Sequence, residues 1–144
     1  VVVMHSIETP VDPDSDIHYD DVVRDCIDQL TERVLLAEKA GLERDQIIVD
    51  PGIGFGKSPT EDFELLDRLP EFEALGCPIL VGHSHKSLFG LVGQEAGDCL
   101  EATIAGTTLA AERGADIVRV HDVPENVAAV RVAEATRDPQ TFED

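Results

Sequence analysis

The sequence predicts an α/β fold built from four consecutive strand-helix units, and three observations carry that prediction. A short aliphatic run, a polar or glycine-bearing tip and an amphipathic segment follow one another four times along the chain. The aliphatic runs are continuous rather than alternating, as expected of parallel strands buried on both faces. Glycines and capping residues stand where the amphipathic segments should stop or start. Such an alternation builds either a doubly wound sheet or a barrel, and in both the chemistry gathers at the carboxyl ends of the strands.

The first run, 1–4, leads into His5 and Ser6. Residues 8–18 read as a polar, proline-containing loop and are the least regular stretch. From about 20 to 40, Val22, Val23, Cys26, Ile27, Leu30, Val34 and Ala37 recur at helical spacing, and Gly41 offers a left-handed stop. The second run, 47–49, ends at Asp50 and opens into a loop rich in glycine. Ser58-Pro59-Thr60-Glu61 has the capping-box spacing with proline at the first helical position, which predicts a helix through Phe63, Leu65, Leu66 and Leu69. The third run, 79–81, precedes Gly82, His83, Ser84, His85, Lys86 and Ser87, and a helix over 100–113 is closed by Gly114. The fourth run, 117–120, carries Arg119 and delivers His121 and Asp122 ahead of a last helix over 125–136. No composition shift, low-complexity segment or close repeat divides the chain, so residues 1–144 read as a single domain.

With 144 residues and 42% hydrophobic side chains the chain can bury one core, and no run approaches the length of a membrane span. Thirty acidic against eleven basic residues give a formal net charge of −19. Nucleic acid and anionic membrane surfaces are therefore excluded as partners, because both require a basic face. The acids are spread through the helical segments, and the aliphatic runs rule against an acidic disordered chain. The pattern is that of a salt-adapted surface, which repels itself until the Debye length shrinks to about 3 Å near 1 M salt. Cys26, Cys77 and Cys99 are odd in number and lack metal-ligand spacing, so buried reduced thiols and a cytoplasmic location are expected.

Acid, base and cation thus stand on four strand tips that share one rim. The residues on that rim carry a resemblance to dihydropteroate synthase. DPGIGFGKSPTEDFELLDRL (50–69) is similar to that family's pterin-site signature, PILVGHSHKSLFG (78–90) to its seventh-strand motif, and DIVRVHDV (116–123) to its eighth-strand Arg-x-His motif. VVVMH (1–5) matches the family's fifth strand, so the resemblance covers nearly the whole chain in order.

The resemblance implies the second half of a TIM (β/α)8 barrel with a site split across the strand tips. Asp50 would take the amino-pyrimidine edge of the pterin and Lys86 would reach the ring from the other side, since a carboxylate can accept adjacent N–H donors side by side. Met4, Phe55 and Gly82 would line the slot, with Arg119 against the ring plane. Arg119 and His121 would face the diphosphate, accompanied by Mg2+ that no side chain ligates directly, and Ser87 with Lys86 would lie on the p-aminobenzoate side. Lys86, Arg119 and His121 would then be the catalytic set, for a displacement in which the amine of p-aminobenzoate attacks the exocyclic methylene of the dihydropterin diphosphate and expels pyrophosphate. Orientation and stabilisation of the departing charge would supply most of the acceleration.

Two features depart from the family pattern. The family usually carries arginine where this chain has His85, and a whole barrel takes about 250 residues. A chain of four units is expected to be a fragment of a longer protein, or to self-associate so that its sheet edges are paired. Other readings stay open at the residue level. Asp50 could cap a turn before Pro51, Lys57 could be a solvated charge or a ligand, and Arg119 or His121 could pair with Asp122. His5 could be a core histidine, and His18 reads as surface. At the level of function, the strand-end residues His5, Asp50, His83, His85 and His121 would also suit a metal-dependent hydrolase. A folate-binding methyltransferase domain and a non-catalytic pterin-binding module are the remaining alternatives.

Overall fold

The structure is a computed structural model and describes residues 1–8, 10, 12 and 17–143. Most of the loop expected over 8–18 lies outside the described residues. Four strands alternate with four α-helices: β1 (Val2–Met4), α1 (Val22–Lys39), β2 (Ile48–Asp50), α2 (Pro59–Asp67), β3 (Leu80–Val81), α3 (Leu100–Glu112), β4 (Ile117–Val118) and α4 (Val123–Arg137). β1 pairs parallel to β2 with Val3 opposite Val49, and β3 pairs parallel to β4 with Leu80 opposite Ile117. A parallel bridge between Val49 and Ile79 joins the two pairs, and the Val49 N–H donates to the Pro78 carbonyl at 2.9 Å. The strands therefore lie side by side in chain order, and their carboxyl ends all open on one rim.

The helices begin and end where the chain supplies their orphan backbone groups with partners. Asp21 caps α1 by accepting the Arg24 N–H at 3.0 Å. At the other end Gly41 takes φ +100°, and the N–H groups of Gly41 and Leu42 return to the carbonyls of Glu38 and Ala37, a Schellman closure. Gly114 closes α3 in the same way, with Ala115 N–H donating to Ala110. At α2 the capping box is complete: Ser58 Oγ accepts the Glu61 N–H, and Glu61 Oε2 accepts the Ser58 N–H at 2.7 Å. This helix stops at Asp67, short of the predicted Leu69. Pro70 lacks an N–H and its ring would crowd the carbonyl of Leu66, so the chain tightens into a 3-10 helix over Leu69–Leu75.

Tyr19, Val23, Leu30, Val49, Leu65, Phe72, Ile79 and Val81 belong to one buried core between the strands and helices. Burial on both faces holds for β2 and β3 and fails for the outer strands. Val2 is 49% exposed and Ile117 is 37% exposed, because among the described residues no further strand pairs beyond β1 or β4. The fourth strand is also shorter than the 117–120 run, ending at Val118 so that Arg119 and Val120 turn onto the rim. No helix among the described residues is long and apolar enough to cross a membrane. Cys26, Cys77 and Cys99 are free and buried, as expected.

Candidate functional site

The glycine-rich loop after β2 is a built object rather than a slack connection. Asp50 is 2% exposed, and its Oδ1 accepts the Gly52 N–H at 2.8 Å. The turn-capping reading of Asp50 is therefore correct for one oxygen, while the other, Oδ2, lies 3.8 Å from Arg119 Nη2. Gly52 sits at φ +74°, and a Cβ there would come within 2.0 Å of the His5 carbonyl oxygen, so this position admits only glycine. Burial pushes the Asp50 carboxyl above its usual range, opposed by the Gly52 N–H and by Arg119, Lys86 and Lys57.

Two charges, the half-buried Lys57 and the buried Asp62, complete the loop, and neither placement was legible in one dimension. Lys57 is neither solvated nor free to bind: its Nζ donates to the carbonyls of Gly52 at 2.9 Å and Phe55 at 3.1 Å. Asp62, 1% exposed on α2, accepts the Gly54 N–H at 2.8 Å, and burial raises it to about 6. Asp62 shares the buried side of α2 with Leu65 and Leu66, and a charged residue beside such leucines gives no sequence signal of its own burial. The capping box that starts α2 is the one local clue that residues 58–62 turn back toward the loop.

Lys86 crosses from the third tip to this loop. Its Nζ donates to the Ile53 carbonyl and stands 4.7 Å from the Phe55 ring centroid, a cation–π contact. Burial lowers the Lys86 ammonium from its usual value, and the Asp50 carboxylate opposes that shift. Arg119 arrives from the fourth tip, its side chain 57% exposed. It fits because residue 82 is glycine: a Cβ there would lie 2.7 Å from Arg119 Nη2. Together Phe55, Gly82, Ser84, Lys86, Arg119, Val120 and His121 line a cleft of about 370 Å³. In a chain of net charge −19 this is a local cationic mouth with a buried carboxylate behind it.

Among the described residues the histidines do not converge as one metal-binding group, although His85 and His121 lie edge to face. His83 is a core residue whose Nε2 lies 2.9 Å from Thr107 Oγ1 and 3.1 Å from the Thr103 carbonyl. His5 is fully buried against Tyr19 and pushed down to about 3, chiefly by burial, which decides its reading in favour of the core. His85 pairs with Asp122 at 2.6 Å, and His121 with Ser84 at 2.8 Å, so Asp122 takes neither Arg119 nor His121. Among the described residues no group of three or more His, Cys, Asp or Glu side chains is placed to hold a metal. His18 is a surface residue beside Asp20.

Of the residues expected at the site, Asp50, Phe55, Gly82, Lys86, Arg119 and His121 come together. Met4 lies opposite Asp50 in the strand register, with its carbonyl held by Arg33, and does not line the cleft. Ser87 is exposed at the start of a 3-10 helix over Ser87–Val92 and does not line it either.

A family model for pterin binding enzymes matches residues 1–121. The chain is 72% identical over 143 residues to the probable bifunctional folylpolyglutamate synthase/dihydropteroate synthase of Haloferax volcanii, which covers 99% of this chain and 17% of that protein. It is 39% identical over 137 residues to the dihydropteroate synthase of Escherichia coli, covering 94% of this chain and 49% of that one. Among solved structures, the Xanthomonas albilineans dihydropteroate synthase in complex with 7,8-dihydropteroate matches with a TM-score of 0.85 at 38% identity, over 95% of this chain and 51% of that chain. The chain thus spans about half the length of these single-function relatives.

Proposed function

The chain belongs to the pterin binding enzyme family, and from that premise we propose that it carries the pterin and diphosphate side of a dihydropteroate synthase site. The observation that carries this reading is the Asp50 carboxylate, buried at the β2 tip and flanked by the cationic cleft of Lys86 and Arg119. A pterin presents adjacent N–H donors to a carboxylate at one edge and acceptors at the other, and Asp50 and Lys86 offer the matching groups. Phe55 and the bare Gly82 give the flat ring apolar surface, and Arg119 and His121 face its diphosphate.

The reaction follows from that placement. The amine nitrogen of p-aminobenzoate forms a bond to the exocyclic methylene carbon as the bond from that carbon to the diphosphate oxygen breaks; the amine loses a proton and pyrophosphate departs. Arg119, His121 and Lys86 stabilise the charge that accumulates on the leaving group. Mg2+ does not suit the residues present: the cleft offers cationic and neutral donors, whereas this ion wants several oxygen ligands. It belongs with the diphosphate.

The four units make the second half of an eight-stranded barrel, as one domain of a longer protein. The open sides of β1 and β4 support this, as does a groove of about 430 Å³ beside β4 and α4. Val118, Val120, Val123, Val127 and Val130 line that groove, with Val123 and Val127 about half exposed. Strands and helices from the remaining half fit both edges. Pyrophosphate release by the full protein, measured with both substrates, should require each of them and fall by at least about 100-fold in Asp50→Asn, roughly 2.7 kcal/mol. Unchanged release in that variant would overturn the assignment.

A further inference from the structure

The third and fourth strand tips meet at one hydroxyl. Ser84 Oγ accepts the main-chain N–H of His121 at 3.2 Å and lies 2.8 Å from Nδ1 of the same residue. Ser84 is 5% exposed, and among the described residues its hydroxyl has no other hydrogen-bond partner. A serine hydroxyl owns one proton and must place it. With the main-chain N–H already occupying a lone pair, donation to Nδ1 is the arrangement that leaves no buried donor unmatched. Nδ1 is then an acceptor, and in the neutral ring the remaining proton sits on Nε2.

The neighbouring histidine is oriented differently. His85 stacks edge-on against His121, with ring centroids 5.6 Å apart, and takes the Asp122 carboxylate for itself. The other side of the His85 ring faces the Cys99 N–H, at 3.5 Å from Nδ1. His121 is therefore oriented by a hydroxyl and not by a carboxylate, and its ring lines the cleft beside Arg119 and Lys86.

We propose that Ser84 is a positioning residue that fixes the neutral His121 ring as its Nε2–H tautomer, giving the cleft an uncharged hydrogen-bond donor for an anionic group. The meaning of that donor rests on the diphosphate reading above, but the tautomer itself is measured without any ligand. Long-range proton–nitrogen correlation spectra of histidine-labelled protein at about pH 8 report which ring nitrogen is protonated. The signals of His121 are identified by their loss in His121→Gln.

The expected result is protonated Nε2 and acceptor Nδ1 in the unaltered chain, a mixture of tautomers in Ser84→Ala, and the original pattern in Ser84→Thr, which keeps the hydroxyl. A protonated Nδ1 in the unaltered chain would overturn the proposal whatever the variants do. So would an unchanged His121 pattern in a Ser84→Ala protein whose buried His83 signals show an intact fold. Loss of pterin binding in Asp50→Asn alongside a wrong tautomer would fail this inference alone; a right tautomer without any pterin binding would fail the functional reading alone.

Discussion

Asp62→Asn should stabilise the protein at neutral pH, and the size of the gain follows from where the carboxyl is buried. Asp62 is 1% exposed, its Oδ1 accepts the Gly54 N–H, and burial lifts it from 3.8 to about 6 against the pull of Lys57 and Lys86 and with the push of Glu61. A carboxyl with a higher pKa in the folded chain holds its proton more tightly there. Its contribution to stability is complete below about 3.8 and is lost as pH rises through about 6. At pH 7 the loss amounts to roughly 3 kcal/mol as an upper figure. An amide keeps the oxygen that receives Gly54 and never ionises, although its new NH2 needs a partner. The variant is expected to gain about 1 to 3 kcal/mol at pH 7 and to converge with the parent near pH 4. Urea denaturation of both proteins across pH 4 to 8, in about 2 M KCl to screen the acidic surface, measures this directly. A difference that does not change with pH, or a variant less stable at pH 7, would refute the argument.

Gly82→Ala places a methyl group 2.7 Å from Arg119 Nη2, the mobile end of a half-exposed side chain. Stability by thermal melting should change by less than about 0.5 kcal/mol while pterin affinity by titration falls at least about tenfold. Gly52→Ala is the opposite case: its Cβ meets the main-chain oxygen of His5 at 2.0 Å and the residue has φ +74°, so the loss should exceed about 3 kcal/mol in the same melting assay. The net charge of −19 predicts unfolding as KCl is lowered from about 2 M to 0.05 M, followed by circular dichroism, with recovery when salt is restored.

Much of the fold was legible because its signals are local. The Ser58–Glu61 box, the glycines after α1 and α3 and the aliphatic runs each act over a few residues and need no knowledge of what packs against them. The rim was legible for the same reason, since strand direction alone brings Asp50, Lys86, Arg119 and His121 to one side. What escaped were decisions made by partners distant in sequence. In the run His83-Ser84-His85-Lys86 nothing in the spacing tells which ring enters the core; α3 decides it by offering Thr103 and Thr107 to His83. The link between Ser84 and His121 spans 37 residues, and the placement of Lys57 and Asp62 depends on how the loop folds back over its own carbonyls and amides. The sequence left Lys57 open between a solvated charge and a ligand, and tertiary packing gave it to the loop's own carbonyls.

We propose that the buried Asp50 carboxylate and its cationic cleft form a pterin site. Titration of 6-hydroxymethylpterin into the chain and into Asp50→Asn, in about 2 M KCl, tests it most directly. Saturable binding is expected to weaken at least about 100-fold in the variant, roughly 2.7 kcal/mol, with both proteins folded by circular dichroism. Equal affinity in the two proteins, or no binding by the folded parent at millimolar pterin, would contradict it.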